Sequence, residues 1–187
     1  MVPQWDQPII NQPEIGFLGF IVQRKQNVLH FLLQAKIEPG NLNVIQLSPT
    51  LQATRSNYTR VHKGRSPLYL EYFTGEKKVE ILVDQLQSEQ GARFYQKRNR
   101  NIIVEVDENE ELPVYENFVW ASLGQIKELL TYPNVVNMDT RTVISCIQYG
   151  NYSEKDLQLL SVFRLDTNLG HSDSFLYSVL SSDNHYN

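Results

Sequence analysis

Two apolar runs separated by a short polar break constrain this chain more than any other feature in it. Residues 15–23 (IGFLGFIVQ) and 28–37 (VLHFLLQAKI) lie on either side of Gln26-Asn27. Such runs, divided by a turn, read as a β-hairpin. The second run is too uniformly apolar for period-two alternation, as expected of a strand buried on both faces. Glu38-Pro39-Gly40-Asn41 is a strong turn, because Pro presets φ and Gly tolerates φ > 0 after it. A further strand follows at 43–47 and ends at Ser48-Pro49.

Beyond the hairpin the elements are mixed. Residues 50–64 are polar and basic without a clear period, which predicts a loop or irregular strand. Residues 67–73 (PLYLEYF) alternate like a strand. The spacing of Val83, Leu86, Gln90 and Phe94 predicts a helix over 83–95, weakened by Gly91. Residues 101–106 and 118–121 read as strands. Ser122 reads as the N-cap of a helix reaching about Leu130, before Tyr132-Pro133, and a last helix covers 139–147. The expected fold is α/β (α+β), a mixed β-sheet with flanking helices. One domain over 1–150 is expected, with 151–187 a polar tail or linker.

A chain of 187 residues can remove roughly 70% of its unfolded surface from water, enough for one core. No apolar run approaches the roughly 20 residues of a membrane-spanning helix. The start, Met1-Val2-Pro3-Gln4-Trp5-Asp6, lacks a signal-peptide pattern. With Cys146 alone, no internal disulfide and no Cys-based zinc site can form within the chain. A soluble cytoplasmic protein is the simplest expectation.

The net charge of −4 argues against a nucleic-acid partner. Charge is nevertheless concentrated. Arg55, Arg60, Lys63 and Arg65 form one basic stretch, and Arg93, Lys97, Arg98 and Arg100 another, followed by Glu105, Asp107, Glu108, Glu110 and Glu111. Compact basic segments in an acidic chain fit a small anionic ligand better than a long polyanion.

Gln34, Lys36 and Glu38 share one strand face by alternation. They make either a pocket wall or a solvated face on which Lys36 and Glu38 pair. Thr54, Ser56, Asn57, Tyr58 and Thr59 surround Arg55, offering short donors and a guanidinium fork to phosphate oxygens; polar loops also have this composition. His30, His62, His171 and His185 show no metal-ligand spacing. Nucleophile-elbow, Walker and dinucleotide motifs do not occur, and Cys146 reads as a buried helix residue. Trp5 and Trp120 suit either the core or stacking on a base. Arg98-Asn99-Arg100 suits pairing with the acidic run, a dimer interface or a ligand contact.

Residues 34–73, QAKIEPGNLNVIQLSPTLQATRSNYTRVHKGRSPLYLEYF, resemble the signature of the NDP-hexose 2,3-dehydratase family. So do residues 5–10 (WDQPII), 86–101 (LQSEQGARFYQKRNRN) and 134–146 (NVVNMDTRTVISC). The resemblance implies one Nudix-hydrolase-like module of a tandem, homodimeric lyase of deoxysugar biosynthesis, similar to the N-terminal half. It also implies that a family segment upstream of residue 1 is missing, as in an excised domain or a short relative. The implied substrate is dTDP-4-keto-6-deoxyglucose and the implied pathway partner an NADPH-dependent 3-ketoreductase. The alternative is a non-catalytic dTDP-sugar-binding or dimerisation module.

The implied reaction removes the C3 proton and then the C2 hydroxyl, with no redox cofactor. Thr54, Arg55, Ser56, Asn57, Tyr58 and Ser88 would line the nucleotide-sugar pocket, with Arg55 on the diphosphate. Lys36 and Tyr58 would donate to the enolate oxygen, and Glu38, Glu89 and His62 are the expected bases. Nudix hydrolases hold Mg²⁺ with several glutamates on one helix, whereas the corresponding 86–95 stretch has only Glu89. One carboxylate is a poor site for a hard cation, so neither a metal nor Mg²⁺-dependent pyrophosphate hydrolysis is expected.

Overall fold

A computed structural model describes residues 8–58 and 66–147. His62, the first three residues of the 5–10 motif (Trp5, Asp6 and Gln7), the first basic stretch beyond Arg55 and the expected tail over 151–187 lie outside the described residues. The expected hairpin is β1 (Gly16–Lys25) and β2 (Val28–Ile37), paired antiparallel from Val22↔Phe31 to Lys25↔Val28. Gln26 and Asn27 both take positive φ, 50° and 63°. This is the backbone a tight two-residue hairpin demands, because its twist matches that of the strands.

Among the described residues five more strands join a mixed sheet: β3 (Ile45–Ser48), β4 (Leu51–Ala53), β5 (Glu80–Ser88), β6 (Arg98–Val106) and β7 (Phe118–Ser122). The order is β3-β2-β1-β6-β5, with β4 also on β1 and β7 also on β2. β6 runs parallel to β1, from Gly16↔Asn99 to Gln23↔Val106. Among the described residues three α-helices flank the strands: α1 (Arg55–Tyr58), α2 (Leu123–Leu129) and α3 (Met138–Ser145). The α+β architecture expected from the sequence is therefore observed.

Apolar side chains on both faces of the sheet explain the uniformity of the hairpin runs. Leu18, Phe20 and Val22 of β1 pack with Phe31 and Leu33 against Ile126 of α2 and Val143 and Ile144 of α3. Ile21 and Leu32 join the opposite cluster with Tyr69, Leu70, Tyr72 and Phe73. At Gly19 a side chain has no room: an added Cβ would lie 2.3 Å from the buried Phe73 ring. The glycine lets that ring seat on the β1 backbone.

Two expected elements are different in the structure. Residues 67–73 are not a strand. Tyr69 is left-handed (φ 62°) and Leu70–Tyr72 forms a 3-10 turn. Four large side chains in five residues thereby face the sheet, which alternation could not achieve. Tyr69 and Tyr72 keep their hydroxyls satisfied by donating to the Pro113 carbonyl (2.6 Å) and Glu110 Oε1 (2.7 Å).

The expected helix over 83–95 is also overturned. Its first half is β5, paired antiparallel with β6 with a register shift between Ile81 and Val83, and its second half is a series of turns. Leu, Gln and Glu favour helix intrinsically, but pairing with β6 overrides that preference. β5 is almost wholly exposed, so it carries no core-facing alternation to advertise a strand. The glutamate-bearing helix invoked above for the Mg²⁺ comparison therefore does not exist.

The helix at Ser122 forms as expected. Ser122 Oγ accepts from the Gln125 amide (3.3 Å), and the Ser122 amide donates to Gln125 Oε1 (2.8 Å), closing a capping box. Ser122→Ala should lower stability by about 1 kcal/mol. A denaturant midpoint unchanged by this substitution would contradict the cap.

Candidate functional site

Two abutting recesses collect Lys36, Thr54, Asn57, Ser88 and Glu89 from the site residues singled out by sequence. The larger, about 260 Å³, is lined by residues including Lys36, Gln52, Thr54, Asn57, Glu89, Lys97, Asn99 and Asp139. The smaller, about 200 Å³, is lined by Ser88, Glu89, Asn99, Asn101, Asp139 and Thr142 among others. They share Leu18, Glu89, Asn99 and Asp139. Ligand sites commonly occupy roughly 300–1,000 Å³, a range the two reach only together. Larger depressions of about 450 and 530 Å³ lie elsewhere, around Arg24, Lys78 and Glu105 and around Ser66, Tyr69 and Tyr115. Neither gathers the expected site residues.

Strand alternation builds one wall. Lys36, on β2, and Glu38, just past its end, lie together on this wall. Lys36 Nζ donates to Gln52 Oε1 (2.8 Å) and pairs with Glu38 Oε1 (3.2 Å), which also accepts from Gln52 Nε2 (3.1 Å). The two sequence readings of this face are thus both realised: the residues pair, and Lys36 still lines the recess. Glu38 is already engaged by two donors.

The chain from β4 into α1 supplies the next part. Thr54 and Asn57 line the recess. Thr54 Oγ1 and Ser56 Oγ lie 2.9 Å apart, and Arg55 is exposed at the start of α1. Tyr58 ends that helix. The recess thus gathers Lys36, Thr54, Asn57 and Glu89, while Ser88 opens onto the smaller one.

The β5–β6 connection closes the opposite side. The Glu89 amide donates to the Lys97 carbonyl (2.9 Å), and Glu89 Oε2 accepts from Asn99 Nδ2 (2.6 Å). Lys97 is buried and donates to the Glu14 carbonyl (3.1 Å). Within Arg98-Asn99-Arg100 it is the asparagine that enters the site. Arg100 instead grips Asp84 of β5 with two bonds (2.7 and 2.6 Å), holding that carboxyl below its usual range. Of the acidic run, Glu105 pairs with Arg24 (3.3 Å).

Sequence reasoning missed Asp139 and Asn101, and named Asn99 only within the Arg98-Asn99-Arg100 run. Asp139 sits in the first turn of α3, whose start is pinned to β3. Asn137 caps it by accepting from the Thr140 amide (2.8 Å) and donating to Ser48 Oγ (2.8 Å), and Thr140 Oγ1 donates to the Leu47 carbonyl (2.9 Å). Burial first, then Glu89 and Glu38, raises the Asp139 pKa to about 6, with Lys36 opposing. The one available signal was its place in the 134–146 motif. Asn101 is fully buried; its Nδ2 donates to the Asn99 carbonyl (3.3 Å), while its Oδ1 has no partner.

Among the described residues no group of three or more His, Cys, Asp and Glu could hold a metal ion, and no helix is long and apolar enough to cross a membrane. The fold and recess thus define an α+β domain with a polar site rich in carboxylates and amides, backed by two lysines. The chain belongs to the NDP-hexose 2,3-dehydratase family, whose model matches residues 1–147. It is 59% identical over 147 residues to a dTDP-4-dehydro-6-deoxy-alpha-D-glucopyranose 2,3-dehydratase from Saccharopolyspora spinosa, covering 79% of this chain and 30% of that protein. A protein of the same name from Amycolatopsis orientalis is 48% identical over 164 residues, covering 86% and 34%. The chain thus spans about a third of the length of these relatives. Similar solved structures include a Nudix hydrolase from M. smegmatis (13% identity, 69% and 83% coverage, TM-score 0.42) and a C. elegans Ap4A hydrolase (10%, 72% and 95%, TM-score 0.42).

Proposed function

We propose that this chain is a nucleotide-sugar 2,3-dehydratase module, Nudix-like by family resemblance and spanning about residues 1–150, that takes dTDP-4-keto-6-deoxyglucose. The observation that carries the reading is the Lys36 ammonium, fixed by Gln52 and Glu38 on the wall of a recess whose opposite side bears Glu89. A ketone at C4 acidifies the C3 proton, because the electron pair left behind delocalises as an enolate. Loss of the C2 hydroxyl completes the elimination. Such a site needs a preorganised donor at the C4 oxygen and a base at C3. Lys36 is the donor, assisted by Tyr58, and carboxylates face it. Glu38, Glu89 and His62 remain proposed participants from the family resemblance.

Thr54, Ser56, Asn57, Tyr58 and Ser88 would contact the nucleotide sugar, with Arg55 on the diphosphate. Charge-assisted bonds from a guanidinium contribute roughly 1.5–3 kcal/mol. Arg55→Ala should therefore weaken dTDP binding about tenfold or more by calorimetry. Unchanged affinity would remove Arg55 from the diphosphate. The proposed setting is a cytoplasmic homodimer that passes its labile 3,4-diketo product to an NADPH-dependent 3-ketoreductase.

A second reading, a non-catalytic dTDP-sugar-binding or dimerisation module, draws on the third of the relatives' length that the chain spans. One incubation separates the two. With dTDP-4-keto-6-deoxyglucose, NADPH and a 3-ketoreductase, a 2-deoxy product supports dehydration. Binding without product supports the second reading, and neither would overturn both.

A further inference from the structure

We propose that Asp139 is the base that removes the C3 proton and, once protonated, the acid that releases the C2 hydroxyl as water. The inference rests on the dehydratase reading and assigns it a residue outside the set drawn from sequence. Asp139 lines both recesses at their junction, where a ring placed between the Lys36 wall and the β6 asparagines would meet it. Its position is rigid, because the α3 cap is tied to Leu47 and Ser48 of β3. The alternatives are more committed. Glu38 accepts from both Lys36 and Gln52, and Glu89 accepts from Asn99 and from the Gln90 amide. Among the described residues no hydrogen bond or ion pair engages the Asp139 carboxyl.

The charged groups facing Asp139 are Lys36 from β2, Glu38 just beyond β2, Glu89 beyond β5, and Lys97 before β6, which lines the same recess. Partial burial and the two glutamates hold its pKa near 6, so at neutral pH it is mostly ionised yet basic enough to accept a carbon-bound proton. A fully buried acceptor, Asn101 Oδ1, lines the smaller recess without a protein partner. Its orientation is settled by Nδ2, which must face the Asn99 carbonyl.

The step balances without a co-reactant. The C3–H bond breaks, its proton passes to the Asp139 carboxylate, and the electron pair moves into the C4 carbonyl as an enolate facing Lys36. The pair then returns to form the C2=C3 bond while the C2–O bond breaks. The proton on Asp139 leaves with that oxygen as water, and the carboxylate is restored. Tautomerisation of the resulting enol, with a solvent proton added at C2, gives the 3,4-diketo sugar.

The test uses the full chain and Asp139→Asn, which keeps size and shape. Positioned proton transfer contributes about 10²–10⁴-fold. The variant should lose at least a hundredfold in kcat while binding dTDP within about threefold of the native chain. The native kcat/KM profile should fall on the acid side near pH 6, and residual activity of the variant should lack that limb. A purely structural role would not move the limb. Asp139→Glu, which restores a carboxylate on a longer arm, should recover part of the rate and the limb. Retention of more than a tenth of native kcat in Asp139→Asn would overturn the assignment. So would a native chain that binds the keto sugar but neither forms product nor exchanges the C3 hydrogen with D₂O, a result that leaves sugar binding intact. Absence of binding would instead overturn the reading beneath it, and the assignment with it.

Discussion

Lys36→Met should lower kcat about 10²–10³-fold, the loss expected when one preorganised donor to a developing oxyanion is removed. The substitution keeps the aliphatic stem and deletes only the ammonium. The contact between Gln52 Nε2 and Glu38 Oε1 (3.1 Å) survives it, so the wall keeps its shape. Lys36 and Glu38 are both about 30% exposed, with side-chain values of 29% and 30%, and such a pair adds at most about 1 kcal/mol to stability. The effect therefore falls on the reaction, with dTDP affinity held within about threefold. Single-turnover rates on purified variant measure it directly. A rate within threefold of native would remove Lys36 from the mechanism and leave its pairing with Glu38 as its whole role.

Asp139→Asn should stabilise the folded chain at neutral pH, which is unusual for a change at a half-buried site. A carboxyl titrating near 6 when folded, against an ordinary value of 3.8, costs on the order of 3 kcal/mol once ionised. Below pH 3.8 both states are protonated and nothing is lost. Between 3.8 and about 6 the unfolded chain ionises this carboxyl while burial and two glutamates keep it protonated in the folded state, so stability declines across that window and levels off above it. Asparagine escapes that decline. It also forfeits the attraction of an anion for a helix N-terminus, about 0.3–1 kcal/mol. The net expectation is a gain of about 2 kcal/mol at pH 7–8 that vanishes near pH 4, read from urea midpoints of the two proteins. Equal stability at pH 8, or a gain that persists at pH 4, would show that Asp139 is not held in an unfavourable charged state. A destabilising ionised group is what a site kept for chemistry would carry.

The residues of the fold that announce themselves are those whose neighbours lie close in sequence or whose burial is complete. The hairpin, β6, β7, the Ser122 cap and α3 follow from apolar runs and local side-chain bonds. β5 did not, because only Val83 on it is even half-buried and its stability comes from β6, ten residues further on. The 67–73 segment likewise yields its alternation to the demand for several large side chains against one sheet face. The site divides in the same way. Lys36 with Glu38, and Thr54 with Asn57, are near neighbours and legible as clusters. Asp139 and Asn101 come from elements far apart in the chain. Their significance lies in an unfavourable charge and an unpaired oxygen, neither of which a linear sequence displays. Arg98 and Arg100 mislead for the complementary reason: charge is conspicuous in sequence, but the side chain that turns inward between them is Asn99.

If this chain dehydrates a keto sugar through an enol, as proposed, the label left by solvent tests it most directly. Running the reaction with dTDP-4-keto-6-deoxyglucose and a 3-ketoreductase in D₂O, with NADPH to trap the product, should give a 2-deoxy sugar carrying deuterium at C2, the carbon protonated on tautomerisation. Mass spectrometry with fragment assignment reads the position. A 2-deoxy product without deuterium at C2, or recovery of the keto sugar with its C2 hydroxyl in place, would contradict the account.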